Sequence, residues 1–446
     1  MRKIPVRDVF KSLGQPTTTY VKRQKGFYEK KLSAAIKTRG KLCLLTGPSK
    51  TGKTTLYIKV LDEMKHVPLI VRCSFDLSTD EFWTKALEAI NFERITAVHK
   101  TKGKEVSGGG KIKGKIGWAW LASLIGEVSL GVKSSMGETA IREKIISKPC
   151  PEHLIPALSN LPTILVIEDF HYLPLEIKKN IFQQWKIFVD NEVSVIVVGT
   201  THHAVDLAHA NKDLIGRIAQ VDLDIWKKED LSAIADQGLQ YLGTDVPSLL
   251  KNEIAQESVG LPIITQDVCL QIFIDKGISE HNKGDTINFR KQDVYLALHH
   301  VAITNYALFE AIYQRLITGP RKRARKYDTY ELIFSAFVRD PLSFSLRRDE
   351  IDERFDKMSI RPEKRPPLQS INSTLKALGK FQTRIGIELL EWSDKDQKLY
   401  IVEPSFLFYL RWRTKRTKPP TIFETMKSLF DKFAAFENIF IEFKQP

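Results

Sequence analysis

Residues 41–54 have the sequence KLCLLTGPSKTGKT, in which an apolar run leads into a loop bounded by glycines. The run, which ends at Thr46, predicts a short buried strand. The apolar periodicity of residues 56–64 predicts a helix directly after the loop. Residues 47–54 match the pattern G-x-x-x-x-G-K-[ST] between a strand and a helix, which is the context that supports a phosphate-binding loop.

Each position of this loop has a physical reason. Gly47 and Gly52 let the backbone curl so that successive amides converge on phosphates, and the helix N-terminus adds its positive dipole end. We expect Lys53 to reach the β- and γ-phosphates and the Thr54 hydroxyl to bind Mg²⁺. The sequence thus predicts ATP and Mg²⁺ as ligands. The predicted nucleotide contacts are Gly47, Pro48, Ser49, Lys50, Thr51, Gly52, Lys53, Thr54 and Thr55.

Two acids follow a second apolar run. Thr163–Ile167 reads TILVI and predicts a strand, and Glu168 and Asp169 come directly after it. We expect Glu168 to hold Mg²⁺ or its water, and Asp169 to polarise the attacking water as a general base. The alternative is that both are ordinary acids at a strand end.

Two further residues are predicted to sense the γ-phosphate. Thr200 follows the predicted strand Val193–Val198, where a hydroxyl would orient the water; the alternative is a cap on the next turn. Arg217 precedes the predicted strand Ile218–Leu223 and would stabilise phosphoryl charge in its own subunit or a neighbour's. The alternative for Arg217 is a surface salt bridge.

The order of elements predicts an α/β fold. Strands that are apolar along their length alternate with helices, which indicates a parallel sheet covered on both faces. The predicted divisions are a phosphate-binding domain at 1–225 with a basic Gly-rich insertion at 99–135, a helical lid at 226–318, a basic linker at 319–326, a winged helix at 327–415 and a C-terminal docking helix at 416–446. The insertion is predicted to be a flexible basic loop with a small hairpin.

Composition limits the class of protein. The 446 residues carry a formal net charge of +15 with a pI near 9.4, which favours acidic partners such as nucleic acid or an anionic membrane. The four cysteines form no C-x-x-C pair, so we expect buried thiols in a reducing compartment. The N-terminus does not resemble a secretory signal, and the strongest apolar run is too short to span a bilayer. A cytoplasmic protein without a membrane partner is predicted.

With these residues identified, the chain resembles the AAA+/STAND branch of P-loop NTPases, including origin-recognition-type initiator ATPases. The resemblance covers about residues 15–280. It is carried by GPSKTGKT at 47–54, ILVIED at 164–169, VVGTT at 197–201, LIGRI at 214–218 and GLPI at 260–263. GLPI resembles the GLPL element of STAND proteins, which implies that Pro262 lies over the nucleotide in the lid. The acids stand in the order Glu then Asp, the reverse of the usual AAA+ order.

The predicted elements from residue 327 onward are three helices and a β-hairpin, an order that resembles a winged helix. In a DNA-binding version the third helix enters the major groove and the hairpin touches the backbone. The predicted phosphate contacts are Lys376, Lys380, Arg384, Arg411 and Arg413. The alternative, taken from STAND proteins, is a winged helix that contacts the nucleotide domain and does not bind DNA.

Two hypotheses about function remain. In the first, the chain is an ATP-driven switch that acts on duplex DNA. In the second, it is a STAND-type signalling or defence ATPase in which ATP drives self-association and a separate protein carries the effector. Both predict that ATP bridges the phosphate-binding domain and the lid, and that hydrolysis removes the γ-phosphate contacts. Nothing in the sequence suggests the acceptor pocket of a metabolic kinase.

Overall fold

The computed structural model describes residues 3–12, 14, 18–101, 116–126, 131, 136–199, 216–282, 287–319, 325–384 and 389–414. The chain divides into two compact units. We call Lys22–Asp224 the sheet unit, and Met1–Val21 together with Ile225–Pro446 the helical unit. No helix in the described ranges is long and apolar enough to cross a membrane.

The strands of the described residues are numbered in chain order. They are β1 (Ile4–Pro5), β2 (Leu42–Thr46), β3 (Val67–Arg72), β4 (Thr163–Glu168), β5 (Val195–Val198), β6 (Ile218–Asp222), β7 (Glu280–His281), β8 (Ser345–Arg347), β9 (Leu390–Ser393) and β10 (Lys398–Ile401). The sheet unit contains five of them in the order β3-β4-β5-β2-β6, with every neighbouring pair parallel. The predicted α/β fold with a parallel sheet is therefore confirmed.

Burial along the strands explains why the sheet is covered on both faces. Every residue of β2, β4 and β5 is buried. Successive side chains of a strand point to opposite faces. Accordingly Leu42 and Leu44 pack into one apolar core, while Cys43 and Leu45 pack into the core on the other face. Apolar residues at every position of a strand thus require helices on both sides.

Helices of the sheet unit cover these cores. They span Phe27–Lys37, Lys53–Met64, Thr79–Glu88, Phe92–Thr101, Trp118–Ile125, Glu138–Ile146, Ile155–Asn160, Leu175–Gln184 and Lys186–Asp190. The helix Thr79–Glu88 begins with the expected capping box, in which the Ser78 and Glu81 side chains each bond the other's backbone amide.

Part of the predicted insertion differs from expectation. Trp118–Ile125 is a helix rather than a hairpin. The Glu138 carboxylate accepts hydrogen bonds from the amides of Trp118 (2.7 Å) and Ala119 (3.3 Å), which satisfies donors at the helix N-terminus. The Trp118 ring also packs edge-on against Phe92, with ring centroids 5.5 Å apart. The Lys- and Gly-rich residues 102–115 lie outside the described residues.

The helical unit begins with the N-terminal residues, which departs from the predicted domain boundary. Strand β1 pairs with β7, and Val6, Val9 and Phe10 are buried in the core of this unit. The reason is apolar packing. The Phe10 ring lies so close to Gly238 that a Cβ atom added to Gly238 would stand 2.3 Å from the ring. Among the described residues of the unit, the α-helices are Val6–Val9, Lys228–Leu242, Ser248–Glu257, Pro262–Asp275, Lys291–Asn305, Leu308–Thr318, Thr329–Phe337, Arg348–Asp356, Leu368–Arg384 and Pro404–Trp412.

The residues of the predicted lid and those of the predicted winged helix share one hydrophobic core. The C-terminal part contains the expected three helices and the hairpin β9–β10. It also contains β8, which pairs with β10 and was not predicted. The linker residues 320–324 and the predicted docking helix at 416–446 lie outside the described residues.

Candidate functional site

The loop after β2 has a backbone that two glycines make possible. Gly47 has φ +142°, and a Cβ there would stand 2.5 Å from the carbonyl oxygen of Leu223. Gly52 has φ +91° and immediately precedes the helix Lys53–Met64. Other side chains are disfavoured at such φ values, so these two positions favour glycine for conformational as well as steric reasons. The loop therefore ends with its amides at a helix N-terminus, as a phosphate-binding loop requires.

The Lys53 side chain folds back over this loop. Its ammonium Nζ donates hydrogen bonds to the carbonyl oxygens of Gly47 (2.9 Å) and Pro48 (2.7 Å). The buried Thr51 hydroxyl donates to the same Pro48 carbonyl at 2.8 Å. Oxygen atoms thus already surround the ammonium group, at the mouth of the loop where phosphate oxygens would compete for it.

The remaining predicted contacts lie in the loop or the first turn of the helix. Ser49 and Thr55 are half-buried, whereas Lys50 and Thr54 are exposed. Lys50 has φ +62°, an uncommon value for a residue other than glycine, at the point where the chain reverses.

Glu168, the last residue of β4, is buried and accepts three hydrogen bonds. Its Oε1 accepts from the Thr54 hydroxyl at 2.9 Å and from the Tyr57 hydroxyl at 3.0 Å. Its Oε2 accepts from Nε of Arg72 at 3.0 Å. A buried carboxylate is costly unless it is paired, and these donors supply that pairing. The first acid after the TILVI strand therefore lies directly against the hydroxyl of the phosphate-binding loop.

Asp169 follows with a left-handed backbone, φ +59°, and a half-buried side chain. Burial raises its pKa above the ordinary value of 3.8, and the negative charge of Glu168 raises it further. The cations of Arg72 and Lys53 oppose this shift. A carboxyl group with a raised pKa is a better proton acceptor once ionised, which is the property that a general base needs.

The donor set fits Mg²⁺. Thr54 and Glu168 offer hard oxygen atoms, and Mg²⁺ in nucleotide sites takes one or two protein oxygens together with phosphates and water. No cluster of three or more His, Cys, Asp or Glu side chains able to hold a metal occurs among the described residues.

Arg217 precedes the first residue of β6, whereas the loop follows the last residue of the neighbouring parallel strand β2. The two therefore lie at opposite ends of the strands, and the expected contact with the nucleotide of its own subunit is wrong. Its carbonyl oxygen accepts a hydrogen bond from the amide of Leu42, the first residue of β2, whereas the loop follows the last residue. The five residues of β6, at about 3.3 Å each, span about 16 Å from one end of the strand to the other. The guanidinium of Arg217 pairs instead with Asp190 at 3.5 Å. Thr200 lies outside the described residues.

Pro262 is the first residue of the helix Pro262–Asp275 in the helical unit. The preceding Gly260 has φ +75°, and a Cβ there would stand 1.8 Å from Cγ2 of Ile225. The Gly260 carbonyl also accepts a hydrogen bond from the amide of Trp226 at 3.1 Å. The GLPI element is therefore packed tightly against Ile225 and Trp226, and the role of Pro262 over a nucleotide stays a prediction.

Two of the predicted DNA contacts are engaged inside the protein, which corrects the expectation for them. The Arg411 guanidinium is fully buried and pairs with Glu257, with Nε–Oε2 and Nη2–Oε1 distances of 2.5 and 2.8 Å. Arg413 stacks over the Tyr313 ring at 4.0 Å and pairs with Glu310 at 3.5 Å. Arg411 belongs to the helix Pro404–Trp412, every residue of which is buried, and Arg413 directly follows this helix.

The other predicted DNA contacts differ from these two. Lys376 and Lys380 are exposed on the helix Leu368–Arg384, and Lys376 pairs with Asp394 of the hairpin turn at 3.3 Å. The side chain of Arg384 lies outside the described residues.

Sequence reasoning missed Tyr57 and Arg72, which are two of the three donors to Glu168. Tyr57 stands three residues after Thr54, a spacing that puts both on one face of a helix, so its position offered a signal. Arg72 ends the apolar run VPLIV with a charge, which marks a strand end. Its pairing with Glu168 required knowing that β3 and β4 are neighbours.

The sheet and its loop have the fold of P-loop nucleotide-binding proteins. No known protein family and no curated protein matches the chain in sequence. Among solved structures, the chain is similar to a Walker-type ATPase of Pyrococcus abyssi, with 14% identity over 88% of this chain and 96% of that one and a TM-score of 0.47. It is also similar to Cdc6p from Pyrobaculum aerophilum, with 12% identity over 92% and 97% of the two chains and a TM-score of 0.42. A third similar structure is Drosophila ORC bound to DNA, with 11% identity over 91% and 90% and a TM-score of 0.38.

Proposed function

We propose that this protein binds and hydrolyses ATP, and that its nucleotide state controls self-association and the binding of DNA or a partner protein. The 2.9 Å hydrogen bond between the Thr54 hydroxyl and Glu168 carries the proposal. It joins the two groups that a P-loop ATPase needs at one point: the hydroxyl beside the phosphates and the acid at the end of a neighbouring strand.

Each residue of the site has a role in this proposal. The loop amides and the Lys53 ammonium hold the phosphates, with Lys53 exchanging carbonyl oxygens for phosphate oxygens. Thr54 and Glu168 are the oxygen ligands that would hold Mg²⁺, which when bound neutralises phosphate charge. Asp169 takes a proton from the attacking water, and Thr200 orients that water. Arg217 stabilises the transferring phosphoryl group of a neighbouring subunit, because its own nucleotide is out of reach.

Substitution of Lys53 and Asp169 separates binding from chemistry. Lys53→Ala should weaken ATP binding by about tenfold to 100-fold, because it removes a charged hydrogen-bond donor to the phosphates. Lys37→Ala, at the exposed end of the helix Phe27–Lys37, is the matched control and should bind ATP normally. Fluorescent ATP analogues measure both. Equal affinity in Lys53→Ala and the control would contradict a phosphate-binding role for Lys53.

Asp169→Asn should bind ATP normally but lower kcat by about 10²- to 10⁴-fold, the usual contribution of a general base. In the unsubstituted protein the rate should fall as pH drops through the raised pKa of Asp169, because only the ionised carboxylate accepts a proton. The acid limb of the kcat profile should therefore lie above pH 3.8 and disappear in Asp169→Asn. Unchanged turnover in this variant would remove Asp169 from the base role.

One observation favours the second candidate, a signalling ATPase that does not bind DNA. Two of the five predicted DNA contacts, Arg411 and Arg413, are engaged by Glu257, Glu310 and Tyr313. Among the predicted contacts whose side chains are described, Lys376 and Lys380 are exposed.

Sizing the protein with ADP or a non-hydrolysable ATP analogue, each with and without duplex DNA, distinguishes the candidates. The DNA-acting switch predicts salt-dependent DNA binding that Lys376→Glu/Lys380→Glu abolishes, because phosphate contacts dominate such binding. Lys227→Glu/Lys228→Glu changes the net charge equally and is the control. Assembly that depends on ATP alone, with DNA affinity absent, would favour the signalling ATPase.

A further inference from the structure

Glu168 is bonded by two side chains that sequence reasoning did not assign, and they differ in accessibility. The Tyr57 ring is fully buried between the phosphate-binding helix and the sheet, and its hydroxyl donates to Oε1 at 3.0 Å. The Arg72 side chain is 74% exposed, and its Nε donates to Oε2 at 3.0 Å. One partner is fixed by packing on all sides, and the other is held mainly by this ion pair.

The geometry at Oε1 orients the carboxylate and leaves Oε2 as the oxygen with a lone pair for another ligand. Thr54 and Tyr57 together supply one hydroxyl proton each to this atom, which accounts for its two lone pairs. The Thr54 hydroxyl keeps its own lone pairs free for another ligand while its proton is committed to Glu168.

The geometry at Oε2 is different. Arg72 places a positive charge against this oxygen through one hydrogen bond, so a metal cation at the remaining lone pair would be opposed by that charge. Solvent screens only the Arg72 end of this ion pair, which is 74% exposed, whereas the Glu168 side chain is 8% exposed. Arg72 is therefore able to move into solvent when another cation compensates the charge of Glu168, whereas the Tyr57 ring is held in place by the core around it.

We propose that Tyr57 is a positioning residue that fixes the Glu168 carboxylate for the metal-nucleotide complex, and that Arg72 is a removable cap on the same carboxylate. The proposal rests on the proposed function, since it concerns the site that would hold Mg²⁺ with ATP. It predicts opposite effects for the two residues, which a merely structural role for either would not produce.

The test measures the affinity for a fluorescent non-hydrolysable ATP analogue across a Mg²⁺ titration, and again in EDTA. Tyr57→Phe keeps the packed ring and removes only the hydroxyl. It should raise the half-saturating Mg²⁺ concentration by about 10- to 100-fold, the usual loss when a partner of a metal ligand is removed. Its affinity in EDTA should equal that of the unsubstituted protein.

Arg72→Met should lower the half-saturating Mg²⁺ concentration by about two- to fivefold, because it removes a positive charge from Oε2 that solvent already screens on the Arg72 side. The matched control is Tyr295→Phe in the helical unit, which removes a comparable tyrosine–glutamate bond, 2.7 Å from Tyr295 to Glu253. It should leave the Mg²⁺ titration unchanged. Thermal melting of each variant reports whether the fold is retained, and Arg72→Met tests the proposal even if Tyr57→Phe does not fold.

The outcomes distinguish a failure of the proposed function from a failure of the roles assigned to Tyr57 and Arg72. If Mg²⁺ does not increase nucleotide affinity in the unsubstituted protein, the proposed function and this inference both fail. If it does, but Tyr57→Phe titrates like the control, Tyr57 is not a positioning residue. A loss of affinity in EDTA for Arg72→Met would mean that Arg72 contacts the phosphates directly and would overturn its role as a cap.

Discussion

Two buried glutamates, one in each unit, have similar partners and different surroundings. Glu168 accepts hydrogen bonds from Arg72 and the Tyr57 hydroxyl, and Glu257 accepts from Arg411 and the Trp412 indole, 2.9 Å away. The difference lies in the arginine. Arg72 is 74% exposed at a strand end, whereas Arg411 is completely buried.

This difference in exposure distinguishes the candidate functional site at Glu168 from the buried structural ion pair at Glu257. Arg411 also donates to the carbonyl of Val338 at 2.7 Å and pairs with Asp340 at 3.2 Å, so its guanidinium is surrounded by protein oxygens. It joins the helix Pro404–Trp412 to the end of the helix Ser248–Glu257, three residues before the GLPI element. Glu168 has two exposed partners, Arg72 and Thr54, whereas Arg411 and Trp412, the described partners of Glu257, are buried.

The largest effect should come from breaking the buried pair. Arg411→Met leaves Glu257 as a buried charge without its cation, which should lower the free energy of unfolding by about 3–5 kcal/mol. Urea denaturation measures the change. Replacing both partners, as Arg411→Met/Glu257→Gln, should recover part of the loss, because the buried charge is removed as well. A loss in the single variant as small as that of a surface pair would show that the two glutamates do not differ in the way described.

A smaller effect should come from crowding the element that follows Glu257. Gly260→Ala places a Cβ 1.8 Å from Cγ2 of Ile225 at φ +75°, which should lower the free energy of unfolding by about 1–3 kcal/mol. The same denaturation assay applies. Adding Ile225→Ala removes the clashing methyl group, so the double variant should be closer to wild type than the sum of the two single changes. Strict additivity would show that this contact does not limit the position.

The smallest effect should come from the half-exposed pair. Arg72→Met should lower the free energy of unfolding by about 1 kcal/mol, because Glu168 is buried but solvent screens the Arg72 end of the pair and two hydroxyl donors remain. Measuring the free energy of unfolding of Arg72→Met and Arg411→Met in the same urea assay compares the two ion pairs directly. A loss of several kcal/mol at Arg72 would make it a structural residue and remove the basis for its displacement.

Much of the sheet unit was predictable because its signals are local. The strand–loop–helix around Gly47, the apolar strand before Glu168 and the capping box at Ser78 all appear where the sequence predicted them. Strand ends differ by one or two residues. The helix Trp118–Ile125 was missed because its apolar residues follow no clean period, and its N-terminus is satisfied by Glu138, 20 residues away.

The arginines were predicted less well, since their roles depend on distant neighbours. Arg217 was expected near the nucleotide of its own or a neighbouring subunit. The parallel register of β6 with β2 puts it beside the start of β2, whereas the loop follows the end of β2. Arg411 and Arg413 stand in a basic run that suggests a phosphate-binding surface. Arg411 is instead buried in the helix Pro404–Trp412, and Arg413, directly after it, stacks on Tyr313. Glu257, the partner of Arg411, is 154 residues away in the sequence, and Tyr313 is 100 residues from Arg413.

The sequence by itself determined the glycine-bounded loop at 47–54, because a loop whose shape depends on glycines at two positions is encoded within eight contiguous residues. It also determined that acids end a buried strand, since hydrophobic runs and the charges that stop them are adjacent in the chain. Only the tertiary structure decided which of those charges are accessible. The exposure of Arg72 and the burial of Arg411 follow from how strands pair and helices pack, and those contacts join residues far apart in the sequence.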